Sequence, residues 1–133
     1  MSRPLHIEGA SRTWSVLTKE ELAAALSTKD GRGGGEFWLA SPGQKFPCLA
    51  IRSSGPAFDI HYFPAEGHPG YRYREAQAKS TSQVALFQYD GCDPYEGESV
   101  PIEFTVAFDI ALTVAHQFMV SGAMHDSTQW LEL

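Results

Sequence analysis

The spacing of apolar residues predicts a short helix near the N-terminus, over residues 19–27. This segment contains ELAAAL, a run of strong helix formers, and Thr18 and Glu21 match the S/T-x-x-E capping box that starts many helices. Leu17 and Leu22 stand where a hydrophobic staple would place them. The glycine-rich sequence KDGRGGGE then ends the helix, because so many glycines are too flexible to extend it.

Between residues 36 and 90 the pattern changes to short stretches with strand character. Proline and glycine breaks separate EFWLAS, PCLAIRSS, AFDIHYF, YRYREA and VALFQYD. In AFDIHYF, for example, Phe58, Ile60 and Tyr62 stand at every second position, which is typical of a strand with one buried face. The breaks are short, so we expect neighbouring strands to pair antiparallel as a meander.

A second, longer helix is predicted over residues 104–121, with Gly122 at the C-terminal cap position. Apolar residues recur there at every fourth position: Val106, Ile110, Val114 and Phe118. The closing sequence STQWLEL predicts a final strand that closes the core, with Trp130 on one face and Leu131 and Leu133 on the other. The pattern leaves open which of these faces meets the helix. The predicted fold is α+β: a single domain over residues 1–133, in which an antiparallel β-sheet meander packs against an N-terminal and a longer C-terminal helix, with a final C-terminal strand.

The composition fits one domain of 133 residues, because 43% hydrophobic residues suffice for one core. No apolar run approaches the roughly 18 residues of a membrane span. The N-terminal sequence MSRPLHIEGASR also lacks the apolar stretch of a secretory signal, so we expect a cytoplasmic protein without membrane contact. Cys48 and Cys92 have no C-x-x-C spacing, and in a reducing compartment we expect free thiols.

The charges of the chain are distributed unevenly. Residues 1–79 contain ten Lys/Arg and eight Asp/Glu, whereas residues 80–133 contain eight Asp/Glu and no Lys/Arg. A segment of this kind would repel the phosphate backbone, so direct binding of nucleic acid is not expected. An acidic surface that only keeps the protein in solution is the simpler interpretation of the same pattern.

Motifs that commonly carry catalysis or bind a metal do not occur in the sequence. The five histidines show neither H-x-x-x-H nor H-x-x-E-H spacing, and there is no G-x-S-x-G elbow. Neither cysteine has a basic neighbour that would activate its thiol. We therefore expect no catalytic residue, no metal and no cofactor, although an enzyme whose groups converge from distant positions stays an alternative.

Residues 89–98 combine aromatic and acidic side chains, as protein–protein interfaces often do. Such a surface would attract a basic partner and speed its capture. A solvated loop is the alternative. The predicted contact surface comprises Tyr89, Asp90, Asp93, Tyr95, Glu96 and Glu98, with Glu66 and Glu75 as outer residues.

The C-terminal third, VPIEFTVAFDIALTVAHQFMVSGAMHDSTQWLEL, resembles the C-terminal signature of the first-numbered immunity-protein family of bacterial polymorphic-toxin systems. The shared features are a V/I-P-x-E-like start, an apolar helix ending in F-x-x-[ST]-G and a strand of the form W-x-E-L. They are carried by Pro101, Glu103, Phe118, Ser121, Gly122, Trp130, Glu132 and Leu133. The family commonly has a proline in the turn before the last strand, where this chain has AMHDS.

The resemblance implies a non-enzymatic α+β protein that is made beside a toxin and blocks it. Toxins neighbouring this family are often nucleic-acid deaminases, which act on an extruded or single-stranded base. Such a toxin needs a basic substrate channel, and the acidic C-terminal part of this chain would suit it. A small-ligand-binding or adaptor module without a toxin partner is the alternative, indicated by the aromatic residues of the predicted strands: Phe37, Trp38, Tyr62 and Phe63.

Overall fold

The computed structural model describes residues 4–9, 12–28, 34–74, 84–87, 98–123 and 130–133. Within these ranges the chain forms nine strands and two α-helices, which confirms the α+β class. The strands are β1 (Leu5–Gly9), β2 (Thr13–Val16), β3 (Gly34–Ala40), β4 (Cys48–Ser54), β5 (Ala57–Phe63), β6 (Tyr71–Tyr73), β7 (Val84–Phe87), β8 (Glu98–Pro101) and β9 (Trp130–Glu132). The helices are α1 (Lys19–Leu26) and α2 (Phe108–Ser121), and a 3-10 turn, Ile102–Phe104, precedes α2.

Seven strands form one antiparallel sheet in the order β2-β1-β3-β4-β5-β6-β9. Its centre, β3 to β6, is the predicted meander. The N-terminal hairpin β1–β2 extends this sheet on one side, and β9 pairs with β6 on the other. The strand predicted at VALFQYD lies outside this meander, because β9 takes the place beside β6 and β7 pairs with β8 in a separate hairpin.

The core lies between the two helices and one face of the seven-stranded sheet. Alternation along β5 directs Phe58, Ile60 and Tyr62 to this face, as predicted, and all three are buried. From α2, the ring of Phe118 meets Tyr62 edge-on with centroids 6.2 Å apart. Both helices bury one stripe of apolar residues: Leu22, Ala25 and Leu26 in α1, and Ala111, Val114, Ala115, Phe118 and Met119 in α2.

The capping box starts α1 at the predicted position. The Thr18 hydroxyl accepts from the Glu21 N–H at 3.1 Å, and the Glu21 carboxylate accepts from the N–H groups of Leu17 at 2.8 Å and Thr18 at 3.1 Å. The hydrogen bonds that the Glu21 carboxylate accepts lower its pKa because they favour the charged form, and the bond from Leu17 has the largest effect. The predicted staple does not bury its outer residue, since Leu17 is 55% exposed while Leu22 is buried.

The predicted start of the second helix at residue 104 is wrong, because α2 begins at Phe108. Phe58 and Val106 exchange two backbone hydrogen bonds of 2.9 Å, so the chain is extended there and runs beside β5. The C-terminal end agrees with the prediction: α2 ends at Ser121, and Gly122 caps it with a left-handed φ of 71°. In the ranges that the structure describes, no helix combines the length and apolar character needed to cross a membrane.

The final strand closes the core through only one of its large side chains. The Trp130 ring packs against Tyr73 and Tyr62, with centroids 5.3 Å and 6.2 Å away. Leu131 and Leu133 are 48% and 51% exposed, so the face that meets the core, which the sequence pattern leaves open, is the one that carries Trp130. β9 is the last strand of the described sheet, and Glu132, on the same face as Trp130, is exposed.

Candidate functional site

The face of the sheet that points away from the helices carries the β7–β8 hairpin over part of its length. Ser54 Oγ donates to the Leu86 carbonyl at 2.7 Å, and the Phe87 ring centroid lies 5.4 Å from the guanidinium carbon of Arg52. Arg52 follows the core residue Ile51, so alternation places the hairpin on the side opposite the helices. The hairpin therefore forms a third layer above β4.

A cluster of charged groups lies on this covered part of the face. Asp59 is fully buried and accepts hydrogen bonds from Arg52 Nη2 and, at 3.2 Å, from Arg72 Nε. The Phe104 ring, just before α2, lies 4.6 Å from the Arg72 guanidinium and 5.7 Å from that of Arg74. A buried carboxylate needs such pairing, which here links the neighbouring strands β4, β5 and β6.

Further along β4 the same face opens into a groove with a volume of about 430 Å³. A small side chain, Ala40, which lies opposite His6 in the sheet, is among the residues that line it. The groove is lined by residues of β1, β3, β4, β5 and two turns: His6, Glu8, Trp38, Ala40, Gln44, Lys45, Phe46, Cys48, Phe63, Gly67 and His68.

Aromatic rings form one wall of this groove. Trp38 is 43% exposed, and its ring stacks on Phe63 with centroids 6.1 Å apart. Phe63 in turn stacks on His61, again at 6.1 Å. Alternation along β3 explains the exposure, since Phe37 and Leu39 enter the core and Trp38 faces outwards. A large aromatic side chain is therefore presented to solvent on a rigid strand.

Two exposed carboxylates flank Trp38. The indole Nε1 donates to Glu36 Oε1 at 3.0 Å, two residues earlier on β3. Glu8 is the cross-strand partner of Trp38 on β1, and both side chains point to the open face. We call the set formed by Glu8, Glu36 and Trp38 the Trp38 site. This site places two negative charges beside one aromatic ring.

The thiol of Cys48, which lines the groove, lies in an environment that disfavours nucleophilic chemistry. Cys48 is 5% exposed, and burial raises the pKa of its thiol, which therefore stays protonated at neutral pH. A nucleophilic cysteine needs the opposite shift. Across the described ranges, no group of three His, Cys, Asp or Glu side chains is arranged to hold a metal ion.

The predicted contact residues lie largely outside the described residues. Glu66 is exposed in the turn between β5 and β6, next to Gly67 and His68 of the groove. Glu98 begins β8 opposite Phe87. The other predicted contacts, which lie outside the described ranges and stay predictions, are Glu75, Tyr89, Asp90, Asp93, Tyr95 and Glu96.

The Trp38 site was not predicted from the sequence as a contact surface. The sequence feature that could have indicated it is EFWLAS, in which the adjacent aromatic residues Phe37 and Trp38 must lie on opposite faces of one strand.

Compared with known proteins, the chain matches no protein-family model, and no curated protein matches it significantly.

Proposed function

We propose that the chain is an immunity protein, which binds a toxin made beside it and covers the toxin's active site or substrate channel. The class of partner comes from the resemblance of residues 100–133 to the immunity family, and the expected toxin is a nucleic-acid deaminase. The observation that carries the proposal is the exposed Trp38 between Glu8 and Glu36 at the groove. The chain would act in the cytoplasm, without binding nucleic acid or membrane itself.

An exposed tryptophan on a rigid strand suits a protein interface. Tryptophan is enriched among the few residues that carry most of the binding energy of interfaces. Burying apolar surface contributes roughly 25 cal/mol per Å², and an indole is among the largest side chains that a partner can cover. Stacking on Phe63 and the bond to Glu36 already hold the ring, so little side-chain entropy is lost on binding.

Within the described ranges, two arginines contribute little uncompensated positive charge to the surface. Arg52 and Arg72 are committed to the buried Asp59, so their charge is compensated inside the fold. Several carboxylates, by contrast, are exposed: Glu8, Glu36, Glu66, Asp109 and Glu132. An acidic surface would attract a toxin whose channel is basic, and it would compete there with the nucleic acid.

Co-expression tests this function. Cells that express the toxin domain encoded beside the chain are expected to stop growing, and cells that also express the chain are expected to grow. The purified chain and toxin should elute together at low salt, because attraction between exposed charges is screened as salt rises. An unrelated acidic protein of similar size is the control. Growth arrest that persists in the presence of folded chain would contradict the proposal.

A small-ligand-binding or adaptor module is the second candidate, and the groove itself favours it. Its volume of about 430 Å³ lies within the range of roughly 300–1,000 Å³ that is typical of ligand pockets. A module of this kind has no reason to bind the neighbouring toxin. The same co-expression experiment therefore separates the two candidates.

A further inference from the structure

We propose that the Trp38 site receives a basic side chain of the partner, an arginine or lysine that lies over the indole between two carboxylates. The inference rests on the proposed function, because it names the part of the surface that meets the toxin. The Trp38 site would be a second contact surface, on the sheet, in addition to the acidic segment of residues 89–98 that the sequence predicts. The chemical class of the ligand is a guanidinium or ammonium group.

The geometry of the site matches a single cation. Directly opposite residues of an antiparallel pair have Cβ atoms about 5 Å apart, so the Glu8 carboxylate and the Trp38 ring can contact the same group. Glu36 is held beside the ring by its 3.0 Å bond to the indole Nε1. Tryptophan is the aromatic side chain that attracts cations most strongly, and carboxylates bind guanidinium through two parallel hydrogen bonds.

The charges of the site are not satisfied within the described part of the chain. Neither Glu8 nor Glu36 takes part in an ion pair there. Arg52 lies opposite Glu36 across β3 and β4, but its guanidinium is paired with the buried Asp59. Lys45 lines the same groove from the turn after β3, and it forms no ion pair with Glu8 or Glu36. A partner cation would complement the two carboxylates.

Affinity for the toxin domain, measured by titration calorimetry at two salt concentrations, tests the site. We expect Glu8→Gln and Glu36→Gln each to weaken binding about fivefold, as loss of one charge pair does. The double variant should also show a smaller salt dependence. Trp38→Ala should weaken binding about 30-fold or more, as loss of an interface hot spot does. Trp38→Phe keeps an aromatic ring, so its loss of affinity should lie between the fivefold and the 30-fold effects.

Two variants on the opposite side of the molecule serve as matched controls. Glu20→Gln removes an exposed charge from α1, and Val120→Ala trims an exposed apolar side chain of α2. Both should bind within about twofold of the wild type, since neither lies on the groove face. The glutamine variants keep the test informative if Trp38→Ala does not fold, because Glu8 and Glu36 are exposed.

A probe that does not depend on the toxin separates the site from the proposed function. N-acetyl-arginine amide should shift the indole N–H resonance of Trp38 more than N-acetyl-glutamine amide does, and the double glutamine variant should lose this difference. Wild-type toxin affinity in the double variant would overturn the inference and leave the immunity function intact. If the wild-type chain binds no toxin, the immunity function fails, and an equal response to both amides would then overturn the cation site too.

Discussion

Replacing Asp59 with asparagine is expected to lower the free energy of unfolding by about 3 kcal/mol. The carboxylate is fully buried and accepts from Arg52 and Arg72, whose side chains are 24% and 16% exposed. Asparagine keeps the shape but removes the negative charge, which leaves two guanidinium groups close together with little water to screen them. Urea denaturation at neutral pH measures the loss.

The matched control for this variant is Glu66→Gln, which also removes one carboxylate charge but at an exposed position. Its effect on stability should stay within about 0.5 kcal/mol, as is usual for surface substitutions. A loss below about 1 kcal/mol for Asp59→Asn would contradict the account of the cluster. It would mean that water or neighbouring groups compensate the arginines without the carboxylate.

Truncating Phe118 to alanine is expected to cost about 4 kcal/mol, the largest effect of any single substitution that we consider. Phe118 is 3% exposed on α2, and its ring meets Tyr62 of the central sheet edge-on. The substitution removes the burial of an aromatic ring and leaves a cavity between α2 and β5, because the packed elements relax only in part. Chemical denaturation should show a lower midpoint with an unchanged slope.

Val120→Ala is the control on the same helix, two residues further along. Val120 is 41% exposed, and alanine has the higher helix propensity, so stability should change by less than about 0.5 kcal/mol. Phe118→Leu should cost an intermediate amount, since it preserves most of the apolar volume. Similar losses for Phe118→Ala and Val120→Ala would show that α2 does not pack against the sheet as described.

The elements that local chemistry specifies could be predicted from the sequence. The hydrogen bonds of the capping box link Thr18 to Glu21 within one turn, so the start of α1 is a local property. The spacing of four residues likewise predicted two members of the buried stripe of α2, Val114 and Phe118, whereas Ile110 is only half-buried and Val106 precedes the helix. The start of α2 could not be predicted, because the bridge between Val106 and Phe58 joins positions far apart in the sequence.

The same distinction explains which parts of the candidate site were missed. Asp59 stands at a polar position of an alternating strand, and the arginines that pair with its buried carboxylate come from the two neighbouring strands. Phe37 and Trp38 are adjacent aromatic residues, and the pattern alone does not decide which of them enters the core. The pairing of β3 with β1 and β4 decides it, and the tryptophan is left on the open face.

The most direct test of the proposed function is a titration of the purified neighbouring toxin domain with the purified chain, while the toxin's activity on its nucleic-acid substrate is followed. We predict that activity falls in proportion to the amount of chain added, until inhibition is complete. The chain alone should not change the substrate. Full toxin activity in the presence of excess chain at low salt, where electrostatic attraction is strongest, would contradict the account.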